Sequence, residues 1–343
     1  GEFSSPDAIR LLPGGEGGGL VIRDQQGARF SVFTAEGEFV SSWPLASGFM
    51  TSTPFQVVRG GEGSAGGAVT GSGAVTAGGA VGVRISNPSL RDAGRPLAEW
   101  EHVRVRYAPG DPSRPDTVPI PDAPSTPAQL RVESGTGSAT YLVPFSPRMV
   151  WAELPDGSLA WGMSDRYSVL VDRGDAGDAG TGRFLRIERV TDRLAVDPAH
   201  AASERARLTA AARNMDPSWR WPSVDIPTVH PWFSTLVPGE DGTLWVFRPA
   251  PAVEEENPGH NPDNPMSSPT QWVQPEPVAD VFDADGRYLG PVRLPRGFAS
   301  SRGPWLTTDA VVSVATHEMG HEQVIRYRLV PASQVGTTGS EVP

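Results

Sequence analysis

The chain contains no cysteine, and all of its basic residues are arginine because lysine is absent as well. Without thiols there are no disulfides, no thiolate nucleophile and no cysteine-ligated metal. Without lysine there is no Schiff-base chemistry and no phosphate-binding P-loop. Long apolar runs are lacking too: nothing approaches the roughly 18 consecutive apolar residues that mark a membrane-crossing helix. Positive charge is in deficit, with a net charge of −11 over 343 residues. Nucleic acid and anionic lipid both require clustered cations, so neither is expected as a partner. No charged-then-apolar leader opens the sequence. It begins Gly1-Glu2-Phe3, which reads like the middle of a repeating unit, and a further segment upstream is expected.

Glycine and proline are plentiful, at 39 and 35 residues, while the aromatic residues are scattered singly. That composition fits many short strands joined by turns better than it fits helices. Length alone allows either two ordinary domains or one large all-β domain, so internal repetition has to decide.

The clearest unit runs over residues 231–295. Residues 232–237 and 243–248 (TLWVFR) are strand patterns separated by the turn cluster PGEDG at 238–242. A long loop rich in proline and asparagine follows. Residues 278–283 (VADVFD) and 287–294 (RYLGPVRL) then flank Asp285-Gly286, a pair suited to the positive-φ positions of a tight turn. The result is a four-stranded antiparallel meander.

Other stretches repeat this unit. Residues 7–12, 20–23 and 29–33 are strand patterns, and residues 32–40 (VFTAEGEFV) lie position for position on 281–289 (VFDADGRYL). Within 54–121 the unit is stretched, with strands predicted at 55–59, 80–85 and 100–107. Between the first two lies a glycine-rich insertion at 60–79, and residues 109–127 read as loop. A third copy covers 145–190, with strands at 149–154, 159–163, 166–172 and 183–187. Its last hairpin is widened by 173–182. Residues 197–215 break the pattern: Asp197 is a suitable N-cap, Pro198 occupies the first helical position, and one peripheral helix is predicted. Strands at 305–308, 310–315 and 323–329 form a final unit that lacks its outer strand, and a polar tail covers 332–343.

These residues predict an all-β chain, a β-propeller of four-stranded antiparallel blades. The blades fall at about 1–45, 54–121, 145–190, 231–295 and 305–330 of a single domain over 1–331. The pattern G-E-F-x-x-P, followed by turn, strand and R-aromatic-x-V-aromatic-x-x-x-G-x-aromatic-V, resembles the repeat of NHL-type six-bladed β-propellers. The run over 145–330 is similar to exported bacterial propellers of that kind. The resemblance implies a sixth blade, an outer strand supplied from upstream, and an exported protein. It does not imply a function, because propellers of one architecture serve many.

In such a blade the turns between strands one and two and between three and four share one face. The remaining loops and the connections between blades share the other. His230, Trp232 and the 249–277 loop with Trp272 therefore fall on one face, together with the 316–322 turn, and loops on a rigid scaffold are where ligands bind. These three residues are the candidate ligand-binding set.

The segment His317-Glu318-Met319-Gly320-His321 spells the zinc-peptidase motif H-E-x-x-H. That motif needs a helix to bring both imidazoles to one face, whereas strand patterns flank it here and no histidine follows His321. It is read as a strand-connecting loop. With His230 the pair could still gather a metal. Asp172, Asp175 and Asp178 match no complete calcium loop and read as a solvated turn. Glu254-Glu255-Glu256 reads as a solvated run. No G-x-S-x-G elbow is found. Trp219, Trp221, Trp232 and Trp272 could form a stacking platform or cover the joins between blades, while His102 and His200 show no partner in the sequence. The reading expects a non-catalytic scaffold for a protein, peptide or glycan, without cofactor, metal or catalytic residue. A propeller hydrolase, lactonase or lyase with a channel metal is the first alternative, and a zinc metallopeptidase acting through His317, Glu318 and His321, which requires that segment to be helical, is the second.

Overall fold

The computed structural model describes residues 3–4, 6–12, 19–45, 49–51, 56–59, 83–91, 101–108, 111–121, 123–125, 127–135, 137–173, 184–262, 267–298, 300, 303–316 and 322–331. The protein is a β-propeller built of antiparallel blades. The first blade runs β1 (Pro6–Leu12), β2 (Gly19–Asp24), β3 (Arg29–Thr34), β4 (Phe39–Pro44), in that spatial order. The second is five-stranded: β5 (Phe49–Thr51) and β6 (Gln56–Arg59) both pair β7 (Val83–Arg91), followed by β8 (Glu101–Ala108) and β9 (Asp111–Pro119). The third is β12 (Met149–Glu153), β13 (Leu159–Met163), β14 (Ser168–Asp172) and β15 (Phe184–Glu188). It follows a separate hairpin, β10 (Gln129–Ser134) and β11 (Gly137–Leu142).

The helix α1 (Pro198–Met215) leads to the fourth blade: β16 (Thr235–Pro238), β17 (Leu244–Arg248), β20 (Val278–Phe282) and β21 (Tyr288–Arg293). A hairpin, β18 (Val253–Glu256) with β19 (Thr270–Val273), rises between β17 and β20. The last sheet, β22 (Trp305–Leu306), β23 (Ala310–Thr316) and β24 (Glu322–Arg328), has three strands. The described residues thus supply five blade-type sheets, and a sixth is not among them. No helix among them is long and apolar enough to cross a membrane.

The repeated hairpin is real at atomic detail. Gly37 and Gly286 adopt φ of 87° and 78°. Thr34 N–H donates to Glu38 O at 2.8 Å, and Asp283 N–H donates to Arg287 O at 3.0 Å. The register slips at the same place in both hairpins, between Val32 and Phe33 and between Val281 and Phe282. A bulge that reappears at equivalent residues belongs to the repeat's design, since it sets the twist of the outer strand. Gly157 and Gly242 close two more such turns with φ of 86° and 84°.

Three of the joins between neighbouring blades are apolar. Val21, Phe30, Val32 and Trp43 of the first pack on Val57, Val103, Val105 and Tyr107 of the second. Val169, Val171 and Ile187 of the third meet Leu236, Leu244, Val246 and Phe282 of the fourth. Trp245, Phe247 and Val281 on the fourth blade's other face meet Leu306 and Val311 of the last. Burying one such side chain completely is worth roughly 1.5–3 kcal/mol. The second and third blades are joined differently, by Arg104 and Arg106 of β8 against Glu153 of β12. Arg10 of β1 reaches Gly303 O, beside the last sheet, at 3.1 Å.

Several expectations need correction. The 109–127 stretch is not all loop, because β9 occupies Asp111–Pro119 as the outer strand of its sheet, a position where proline's missing N–H costs no ladder bond. The loop after β17 holds the β18–β19 hairpin, so Glu254 to Glu256 lie on a strand, with Glu254 Oε1 accepting from Thr270 Oγ1 at 2.7 Å. Trp219 and Trp221 join no blades. They pack with Leu130, Val132, Leu208 and Ala212 in a small core between α1 and the β10–β11 hairpin. The predicted helix starts as expected, Asp197 Oδ1 accepting from Ala199 N–H at 2.7 Å. The glycine-rich 60–79 insertion, Asp175 and Asp178, the tail at 332–343, and His317 with His321 lie outside the described residues.

Candidate functional site

The connections that share a face with the β13–β14 turn bring together aromatic and imidazole rings from separate segments. His200 is the third residue of α1, placed by the Asp197 cap and by Pro198. Its ring lies flat on Trp272 of β19, with centroids 4.4 Å apart and planes 8° off parallel. Phe145, between β11 and β12, sits edge-on to His200 at 4.9 Å and edge-on to His230 at 4.9 Å. It holds a φ of 60°, a left-handed conformation that a bulky residue adopts only where its surroundings hold it there.

His230 is pinned by its backbone. Its N–H donates to Leu194 O at 2.8 Å, and its carbonyl accepts from Arg193 Nη2 at 3.1 Å. Trp232 follows, its N–H bonded to Ser164 O at 2.8 Å and the Arg193 guanidinium 5.7 Å over its ring. Its own ring packs partly on the core between the third and fourth blades.

His230 and Trp272 are linked through Phe145 and His200, whereas Trp232 has no ring contact with them among the described residues and packs on the core between the third and fourth blades. His200 was expected to have no partner and has two. Nothing in the sequence marked Phe145, because its role depends on a backbone conformation. The signal for His200 was its place in the first turn of a predicted helix, which fixes its height but not what it faces. His102 lies on β8 opposite Leu90.

Both imidazoles are held below their ordinary value near 6.5, each chiefly by burial. Glu204 and Asp197 pull His200 back up, and the neighbouring His200 pushes His230 further down. At neutral pH both imidazoles are therefore uncharged. The indole Nε1–H of Trp272 is buried and has no acceptor among the described residues.

A pH dependence follows. Where the folded pKa of a histidine lies below its unfolded value, the unfolded chain binds more protons. The stability from these residues is complete above about pH 6.5 and declines as pH falls through that value. The melting temperature is expected to fall from about pH 7.5 to about pH 5.5, and to fall less in a His200→Gln, His230→Gln double variant. Parallel curves for the two proteins in a thermal scan would show that the imidazoles contribute nothing.

Two other polar clusters are buried. Glu153 is 2% exposed, and its Oε1 accepts from Arg104 Nη1 at 3.1 Å and from Arg106 Nε at 3.2 Å. Asp280 is fully buried. Tyr167 donates to its Oδ2 at 2.8 Å and Tyr288 to its Oδ1 at 3.1 Å. Arg189 is ion-paired with Asp280, and Arg248 Nε approaches Oδ2 to 2.9 Å, close enough for an ion pair but off the line of a hydrogen bond. Burial, reinforced by the Asp280 charge, drives the Tyr167 hydroxyl far above the usual phenol range. It stays a donor at any physiological pH. Each carboxylate is held by two guanidinium groups, an arrangement suited to locking blades together. Among the described residues, no group of three or more His, Asp or Glu side chains is placed to hold a metal ion.

No family model matches the chain, and no curated protein matches it. Among solved structures it is similar to a member of the DUF4221 family from Bacteroides vulgatus, at 8% identity and a TM-score of 0.43, covering 95% of this chain and 78% of that one. A streptogramin B lyase structure matches at 10% identity and a TM-score of 0.34, covering 96% and 84%. A PQQ-bound aldose sugar dehydrogenase from Streptomyces coelicolor matches at 12% identity and a TM-score of 0.31, covering 95% and 94%. Similarity at this level carries no argument about activity. The fold is named from the chain's own sheets, which make it a β-propeller of antiparallel blades, three of the five described having four strands.

Proposed function

We propose that the protein is a non-catalytic recognition propeller that binds a peptide or glycan chain across Trp272, His200, Phe145, His230 and Trp232. The observation that supports this reading is the contact among the rings of Trp272, His200, Phe145 and His230, brought together from three connections between strands. Aromatic rings give large contact area at little cost in side-chain freedom, and a few polar groups orient what they hold. The alternative, an enzyme, calls for carboxylates free to act. The three carboxylates buried among the described residues, Asp24, Glu153 and Asp280, are each paired with arginine instead. The resemblance to exported NHL-type propellers extends the proposal to a six-bladed protein acting outside the cytoplasm.

Peptide and glycan arrays probed with the labelled full chain test the reading. Signal is expected on a restricted set of ligands and is expected to disappear with Trp272→Ala. Signal that survives in that variant would move the binding site elsewhere.

A further inference from the structure

The β18–β19 hairpin brings negative charge to the aromatic cluster. Glu254 lies directly opposite Trp272 in its ladder, so the two side chains stand on one face of the hairpin with Cβ atoms about 5 Å apart. Thr270 Oγ1 donates to Glu254 Oε1 at 2.7 Å, which holds the carboxylate in place. Further acidity comes from α1. Asp197 and Glu204 stand about one turn to either side of His200 along the same face of the helix, and both act on its charge.

These carboxylates differ in how far they are already neutralised. Glu204 accepts from Arg207 at 2.7 Å, and Glu255, on the hairpin's opposite face, pairs with Arg296. Asp197 is occupied as the helix cap. Glu254 is exposed and forms no ion pair among the described residues. Trp272 and His200 are half-buried, so part of each ring meets solvent. A carboxylate beside open aromatic rings suits a cation, which the ring faces attract and the carboxylate balances. The other end of the neighbourhood is unsuited, because the exposed Arg193 lies 5.7 Å over the Trp232 ring and donates to the His230 carbonyl. The protein uses the same combination internally, where Arg189 lies 4.3 Å over the Tyr288 ring and pairs with Asp280.

We propose that the ligand of the aromatic cluster is a basic peptide segment, one arginine of which lies against the open part of the Trp272–His200 pair with Glu254 as its counter-charge. The inference rests on the binding role proposed above for these rings and adds the class of ligand. A guanidinium fits this corner better than an ammonium, because it is flat, stacks on an aromatic face and can fork onto a carboxylate while stacked. The net charge of −11 draws a basic segment toward the chain. A neutral glycan would use the rings but leave Glu254 without a role.

The probe is a panel of heptapeptides, Ala-Ser-X-Arg-X-Ser-Ala with the flanking positions X varied, each beside a twin carrying citrulline, which keeps the shape of arginine without its charge. Fluorescence anisotropy against the full chain is expected to show binding of arginine members, with their citrulline twins at least about tenfold weaker. Glu254→Gln is expected to weaken the arginine members about tenfold and leave the twins unchanged, while Trp272→Ala abolishes binding of both. Glutamine keeps the oxygen that Thr270 bonds, so the lost charge is the main difference. Glu133 is an exposed carboxylate on β10, and Glu133→Gln is expected to change nothing. Equal weakening by that variant would reduce the attraction to the chain's overall charge and overturn the inference. Twins that bind as tightly as the arginine members, and are lost with Trp272→Ala, overturn it while the binding role stands. An empty panel beside a Trp272-dependent glycan on the arrays does the same. Binding that survives Trp272→Ala, or no Trp272-dependent ligand of either kind, overturns the binding role and this inference together.

Discussion

Replacing Glu153 with glutamine is expected to destabilise the protein by about 3–5 kcal/mol, the range for removing one partner of a buried ion pair. The geometry explains why the effect should be large. The side chains of Arg104 and Arg106 are only 8% and 3% exposed, so neither guanidinium can turn to water when the carboxylate charge is lost. Burial already lowers the pKa of Arg104, against the pull of Glu153 and with the charge of Arg106 adding to the strain. A glutamine keeps the volume and can still accept one hydrogen bond, which makes the missing charge the main difference. Urea unfolding measures it. A shift under about 1 kcal/mol would mean that water reaches the pair and that the join between the second and third blades rests on something else. Replacing all three residues together by apolar ones of similar volume is expected to cost far less than the single change, because the desolvation penalty is removed along with the attraction.

Asp280→Ala is expected to cost about 3 kcal/mol, the lower end of the same range. Here two hydroxyl donors, from Tyr167 and Tyr288, lose their acceptor at the same time as two arginines lose their counter-charge. The side chains of Arg189 and Arg248 are about a quarter exposed, at 26% and 24%, and can recover part of the loss by reaching water. Arg189 also stays over the Tyr288 ring, 4.3 Å from its centre. Asp280→Asn is expected to fall between the wild type and alanine, because the amide oxygen still accepts from a tyrosine. An alanine variant as stable as wild type in urea would show that the cluster is ornamental to the join between the third and fourth blades.

These two carboxylates show how far a sequence can be read. The blades were legible because backbone geometry demanded particular residues. The turns ending Glu36-Gly37, Asp156-Gly157, Asp241-Gly242 and Asp285-Gly286 need a positive φ at the glycine, and all four have it. The helix was legible through its cap at Asp197. Glu153 and Asp280 look like any acidic residue in an alternating strand. Their partners lie 47 and 113 positions away in the pairs with Arg106 and Tyr167, and only the stacking of blades brings them together. The same holds for Phe145 and His200, whose contact with the candidate set depends on how α1 rests on its hairpin. The strands β9, β18 and β19 were missed because proline and a glutamate run suggest loops, whereas an outer strand and a raised hairpin accept both.

The central claim is that the cluster around Trp272 and His200 binds a ligand without transforming it. Calorimetric titration of the strongest array ligand into wild type, Trp272→Ala and Trp272→Phe, with the ligand's mass followed during incubation, tests this most directly. Wild type is expected to bind and leave the ligand unchanged, and alanine to weaken binding at least about thirtyfold, as loss of a central aromatic anchor does. Phenylalanine is expected to fall between them, keeping a ring on His200 with less contact area. Equal affinity in all three proteins, or a ligand converted to product by the wild type, would contradict the account.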